Sequence, residues 1–227
     1  MAEVLRVQVL ENILKANDYL ADRLSREWQE TQTLVVNLLS SPGGGKTTLL
    51  EAILPQLKDH CRVLVLEGDI ETERDAQRIR ALGVKTLQIT TGGTCHLEAH
   101  MVEQAWKLTQ EEEPFDFIFI ENVGNLVCPA SYALGEHLRV VLLSVPEGDD
   151  KPMKYPKAFR SSQAFMVTKA DLLPYFDFSV ERACQEALSL QPQLATQVVS
   201  AKTGEGIKEW VQFLQKQREK RFLVKTR

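Results

Sequence analysis

The stretch Thr33-Leu34-Val35-Val36-Asn37-Leu38-Leu39-Ser40-Ser41-Pro42-Gly43-Gly44-Gly45-Lys46-Thr47-Thr48 decides the fold. Its first eight residues are β-rich and mostly apolar, as a strand buried on both faces requires. The rest is a Gly-rich turn leading into a helix from about Lys46 to Lys58. Three consecutive glycines let successive backbone N–H groups turn inward on phosphates, and the helix N-terminus adds partial positive charge. The phosphate-loop pattern asks for Gly, four residues, then Gly-Lys-Ser/Thr. Gly45-Lys46-Thr47 meets it, with Ser40 where the first glycine usually stands. Lys46 would reach the β/γ-phosphates and the Thr47 hydroxyl would ligate Mg²⁺. The alternative is a Gly-rich strand–helix turn that binds nothing.

Working outward, strands alternate with helices. Strands are expected at 62–67, 85–90, 116–121, 139–145, 164–168 and 197–200, and helices at 3–30, 71–82, 98–110, 180–190 and 206–220. In the first helix Leu5, Val9, Ile13, Leu20 and Leu24 recur at helical spacing. Residues 147–157 are polar with two prolines and read as a loop. This order predicts an α/β fold: a three-layer P-loop nucleotide hydrolase with a mostly parallel central sheet and helices on both faces. Residues 1–227 are read as one domain with an N-terminal helix. Ligands in such sheets bind at the carboxyl ends of the strands, where the motifs below fall.

Two more strand ends carry carboxylates. Asp116-Phe117-Ile118-Phe119-Ile120-Glu121 is followed by Gly124, a spacing that suits a segment answering the γ-phosphate. Glu121 is therefore a catalytic and Mg²⁺ candidate, although a carboxylate that merely ends a strand reads the same way. Glu67-Gly68-Asp69 ends another strand, making Asp69 a second candidate and Asp75 a weaker third. Acidic residues in a first helical turn are stabilising in any case. Thr168-Lys169-Ala170-Asp171 and Ser200-Ala201-Lys202 each follow a strand. Guanine presents N1–H and N2–H₂ side by side, and one carboxylate accepts both. Asp171 would select guanine, Lys169 would pack its stem over the base, and a backbone N–H after Ser200 would meet O6. The nucleotide is then GTP or GDP.

Thr94-Cys95-His96-Leu97-Glu98-Ala99-His100 places a Cys-His pair at an expected helix start, with His96 and His100 four residues apart. Cys128 lies in Asn125-Leu126-Val127-Cys128-Pro129. Thiolate with imidazole suits Zn²⁺ or Ni²⁺ better than Mg²⁺, and a cysteine at a helix N-terminus has a depressed pKa. The dipeptide is not a zinc-finger spacing, so unconnected thiols remain the competing reading. His100 alone reads as an ordinary histidine. Cys61 and Cys184 read as small buried hydrophobes.

The 227 residues carry a net charge of −4, which argues against general binding to nucleic acid or anionic membrane. No apolar run is long enough to span a bilayer. The start has no secretory pattern, so a cytoplasmic location is expected.

Over residues 33–215 the chain resembles the nickel-incorporation GTPases of the HypB family, which serve [NiFe]-hydrogenase maturation. The resemblance rests on residues 42–48, 67–69, 92–97, 121–129, 147–152 and 200–202. It implies a dimerising nucleotide switch with Cys95, His96 and Cys128 in a metal site at or near the dimer interface. It implies GTP hydrolysis regulating nickel transfer toward the hydrogenase large subunit precursor, with a small nickel-binding accessory protein as partner. Three features depart from the family pattern. Ser40 replaces a glycine, Thr168 stands where Asn is usual, and no Cys- or His-rich N-terminal stretch is present to form the extra nickel sites of some relatives. The rivals are a urease-type nickel-delivery GTPase, which would carry a compact Cys-Pro-His, a P-loop small-molecule kinase, and a metal-storage or redox module.

Overall fold

The apolar run after Thr33 forms a central strand, and the strands around it are all parallel. The computed structural model describes residues 2–70, 73–109 and 112–222, with side chains from residue 12 onward. The elements in order are α1 (Ala2–Glu30), β1 (Leu34–Leu39), α2 (Lys46–Leu57), β2 (Val63–Asp69), α3 (Arg74–Arg80), β3 (Lys85–Thr90), α4 (Ala99–Lys107), β4 (Phe117–Glu121), β5 (Leu138–Ser144), α5 (Lys151–Lys154), α6 (Pro156–Arg160), β6 (Ala164–Thr168), α7 (Val180–Leu190), β7 (Ala195–Val198) and α8 (Ile207–Phe222). The expectations for the Leu5 and Val9 side chains and for Glu71 fall outside the described residues.

The seven strands lie in the order β3-β2-β4-β1-β5-β6-β7, every pairing parallel. The fold is thus a three-layer P-loop sheet, as the alternation of elements predicts. Parallel strands need crossovers, and the helices that make them cover both faces. Leu34, Val36 and Leu38 of β1 point to one face, where Leu50, Ile53 and Leu54 of α2 and Trp210 and Leu214 of α8 pack. Val35 points to the other and joins Leu24 and Trp28 of α1 with Val102 and Trp106 of α4. Leu39 joins Val141, Phe159, Phe165 and Ala183 farther along that face.

Three expectations shift. Residues 147–157 are not a plain loop: α5 and α6 begin there, each with proline in its first turn, where the missing N–H costs nothing. β7 is Ala195–Val198 rather than 197–200, so Ser200 lies in the turn beyond it. α4 begins at Ala99, after an extended Glu98, so His96 is not helical.

Candidate nucleotide cleft and metal centre

The loop between β1 and α2 is shaped by its glycines. Gly43 and Gly45 have φ of +73° and +92°, which residues with a Cβ rarely adopt. Gly44 passes so close to Ser40 that a Cβ would lie 2.5 Å from the Ser40 Cβ. Ser40 is buried, its hydroxyl donates to the Ser41 carbonyl (2.7 Å) and it accepts from Lys46 Nζ (3.2 Å). The serine is thus absorbed into the loop. Thr168 braces the same loop by donating to the Gly44 carbonyl (2.7 Å), and Lys169 donates to the Gly43 carbonyl (2.7 Å). Lys169 holds a left-handed backbone, φ +59°, to do so.

Carboxylates converge at the strand ends. Glu121 Oε1 accepts from the Thr47 hydroxyl (2.7 Å) and lies 4.0 Å from Lys46 Nζ. β2 runs beside β4, which sets Glu67 directly against Glu121. Both are buried, and each keeps one carboxylate oxygen without a hydrogen-bond partner. Burial and the neighbouring Glu121 push the Glu67 carboxyl up to about 8. Burial raises Glu121 too, against the opposing pull of Lys46 and Thr47. One oxygen each of Glu67, Asp75 and Glu121 lies within 4.8 Å of the others. Hard oxygen donors with unused lone pairs fit Mg²⁺.

Asp69 lines the same cleft, where its Oδ1 accepts from the Ile70 N–H (2.6 Å) and it stands beside the three converging carboxylates. Asp69 is the last residue of β2, and Glu67, two residues earlier on the same strand, is the one set against Glu121. The signal for Glu67 in the sequence is a glutamate near the carboxyl end of each of two apolar strands, β2 and β4.

A second pocket is lined by Gly45, Thr48, Leu49, Thr168, Lys169, Asp171, Leu172, Val199, Ala201 and Lys202. It is mostly apolar, as a purine requires, with Asp171 at its edge. The Ser200 hydroxyl donates to Asp171 Oδ1 (2.7 Å) and Lys202 Nζ lies 3.9 Å from Oδ2, so the carboxylate is held in place.

Cys95, His96 and Cys128 bring one ligand atom each within 4.8 Å of one another. Cys95 Sγ is 3.9 Å from His96 Nδ1. Asn125 ties the two loops together by donating to the Cys95 carbonyl (3.4 Å). His96 is stacked on Tyr132, ring centroids 4.0 Å apart. Its Nε2 lies 3.5 Å from Glu98, and Glu98 also meets His100 Nδ1 at 3.3 Å. Two sulfurs and an imidazole fit Ni²⁺ or Zn²⁺.

Known proteins share this sequence and fold. Residues 34–197 match the family model described as CobW/HypB/UreG, nucleotide-binding domain. The chain is 46% identical over 219 residues to the hydrogenase/urease maturation factor HypB of Helicobacter hepaticus, covering 95% of this chain and 90% of that protein. It superposes on the crystal structure of HypB from Helicobacter pylori in complex with nickel, with TM-score 0.86, 42% identity and coverage of 93% and 99%. The HypB of Archaeoglobus fulgidus gives TM-score 0.84 at 35% identity, covering 90% and 100%.

The chain belongs to the HypB family.

HypB relatives are hydrogenase or hydrogenase/urease maturation factors by name, and one was crystallised with nickel. The family match makes residues 34–197 a nucleotide-binding domain. Two expectations about the HypB-like metal residues change with the geometry. His100 is exposed and faces Glu98 rather than the sulfurs, because α4 starts at Ala99 and the two histidines share no helical face. Cys95 sits four residues before that helix rather than at its start. The neighbouring Cys95 thiol, with burial, raises the Cys128 thiol. A divalent ion held there would favour the thiolate forms of Cys95 and Cys128. Tyr132, Glu98 and Glu67 were not legible as site residues. Cys61 and Cys184 are half-buried against the apolar clusters, which raises both thiols.

Proposed function

We propose that this protein is a GTP-hydrolysing metallochaperone that couples its nucleotide state to nickel binding and delivery during [NiFe]-hydrogenase maturation. One observation carries the reading: six residues of one segment connect Glu121, in the nucleotide cleft, to Cys128, in the metal centre.

Gly43, Gly44 and Gly45 turn their N–H groups onto the phosphates, Lys46 meets the β/γ-oxygens, and Thr48 follows in the first turn of α2. Thr47, Glu121, Glu67 and Asp75 would hold Mg²⁺, which neutralises phosphate charge when bound. Glu121 orients the attacking water. Asp171 accepts N1–H and N2–H₂ of guanine, Lys169 covers the base, and the backbone at Ser200–Ala201 meets O6, with Lys202 beside Asp171. Cys95, His96 and Cys128 take the nickel cargo as two thiolates and one imidazole, with Zn²⁺ a competitor for the same ligands. GTP favours a closed homodimer with one arrangement of these ligands, and hydrolysis relaxes the segment and changes it. Only such differential affinity lets a nucleotide move the metal equilibrium. Nickel comes from a nickel-binding hydrogenase accessory protein and passes toward the large subunit precursor. No helix among the described residues is long and apolar enough to cross a membrane, and the reading places the protein in the cytoplasm with no nucleic-acid role.

The test is Ni²⁺ titration calorimetry with GDP, with a non-hydrolysable GTP analogue and with ATP analogues, on wild type and Cys128→Ala. A nickel affinity that responds only to guanine nucleotide, and no longer responds in Cys128→Ala, supports the proposal. Identical nickel binding in every nucleotide state removes it.

A further inference from the structure

Between the cleft and the metal centre lies a connected set of buried polar side chains that the reading above does not use. Asn122 follows Glu121 directly and is 1% exposed. Its Oδ1 accepts from the N–H of Leu97, the neighbour of His96 (3.4 Å), and from the N–H of Val123 (3.0 Å). Its Nδ2 donates to Asn37 Oδ1 (3.3 Å), and Asn37 Nδ2 donates to Glu136 Oε1 (3.1 Å). Glu136 pairs with Arg139 at 2.5 Å. The Arg139 guanidinium donates to the carbonyls of Ala130 (3.5 Å) and Tyr132 (3.1 Å). Tyr132 is the ring stacked on His96.

From one asparagine, two arms therefore reach one imidazole. The short arm ends on the backbone beside His96. The long arm crosses β1 and β5, where Asn37 and Arg139 are register partners, and ends on the loop that follows Cys128. Their neighbours on that face of the sheet, Val35, Leu39, Val141 and Leu143, are apolar. A buried ion pair is weak grounds for stability, since apolar residues of similar volume commonly do as well. A saturated polar network does fix relative positions closely.

We infer that Asn122 is the positioning residue through which the nucleotide cleft reaches the metal centre. The inference rests on the coupling proposed above and names the side chain that carries it. The cleft end is tight: a Cβ on Gly124 would sit 2.9 Å from the Pro42 Cα, so the phosphate loop and the segment after Glu121 are in close contact. The longest bond from Asn122, that from Leu97, is the one a small shift of this segment makes or breaks. Losing it frees the backbone that orients His96, while the long arm transmits the same shift to Tyr132 and the Cys128 loop. Coupling between sites needs an element that both ligands bias, and Asn122 stands in that element.

A purely structural role for Asn122 has its own control. Asn17 of α1 donates to the Ala133 carbonyl (2.8 Å) and accepts from the Ala99 N–H (2.8 Å). It pins the same two metal-bearing loops from outside, through neither the cleft nor Asn122. The experiment is Ni²⁺ calorimetry with GDP and with a non-hydrolysable GTP analogue on wild type, Asn122→Ala and Asn17→Ala. In Asn122→Ala the two nickel affinities should fall within about twofold of each other. In Asn17→Ala both should weaken by a similar factor, with the wild-type ratio kept. An Asn122→Ala protein that keeps the wild-type ratio overturns the inference and leaves the proposed coupling standing. A wild type without any ratio removes both. If Asn122→Ala does not fold, Asn122→Ser retains a hydroxyl for the Val123 N–H and is read against the same two outcomes.

Discussion

Tyr132 lies nearly parallel to His96, 24° between the rings, and closes one side of the metal centre. The imidazole is thereby held with Nδ1 toward Cys95. Groups outside the ligand set that fix ligand orientation typically contribute about 10- to 100-fold in metal affinity. Tyr132→Ala should therefore weaken nickel binding by about tenfold, while Tyr132→Phe, which keeps the ring, should stay near wild type. Competition with a metallochromic chelator reads both.

Glu67 should respond with opposite signs in two assays. Metal-free, it is a buried carboxyl beside Glu121, and its ionised form is disfavoured. Burial first and Glu121 second hold it at about 8, so at neutral pH the folded state must take up a proton that the unfolded carboxyl does not bind; Glu67→Gln removes that cost and should raise the nucleotide-free Tm at neutral pH. It also removes a hard oxygen donor, so Mg²⁺ dependence of GTP turnover should shift to higher Mg²⁺ concentration. A variant that loses stability without moving the Mg²⁺ titration would place Glu67 outside the metal set.

Asp171 should carry base selection and Thr168 should not. Asp171→Asn replaces an acceptor of two guanine protons by a group that accepts with one atom and donates with the other. GDP affinity should fall by roughly 10- to 100-fold, the value of a charged double hydrogen bond, with ADP binding unchanged. Thr168→Val leaves the Gly44 carbonyl without its side-chain donor and should weaken GDP and ADP alike. Fluorescent analogues of both nucleotides decide between the patterns.

His137 should make the protein acid-sensitive. Burial, and then the charge of Arg221, lower it to about 4. The Val35 N–H donates to its Nδ1 (3.2 Å), which needs the neutral ring. The folded value lies below the unfolded value of 6.5, so the neutral form is favoured by folding. Its contribution is complete above about pH 6.5 and is lost as pH falls toward 4. Urea midpoints should drop over that window, and the drop should be shallower in His137→Gln. Equal slopes would assign the acid sensitivity elsewhere.

What the sequence determined by itself is local or periodic. Gly43 and Gly45 were readable because a left-handed backbone excludes most other residues. The parallel sheet followed from apolar strands alternating with amphipathic helices. Cys95, His96 and Cys128 stood out because thiol and imidazole chemistry is specific, although only the family resemblance joined them across the chain.

Tertiary structure decided whatever depends on which strands become neighbours. Glu67 is part of the cleft because β2 lies beside β4, an adjacency that no local pattern encodes. Asp69, two residues on, accepts from the Ile70 N–H. His100 left the metal set because α4 starts at Ala99, and a helix boundary is a balance of capping and packing that spacing does not resolve. Asn17, Asn122 and Tyr132 are unremarkable in sequence. They matter because burial removes water as a partner, and each polar group must then find its hydrogen bond on a distant segment.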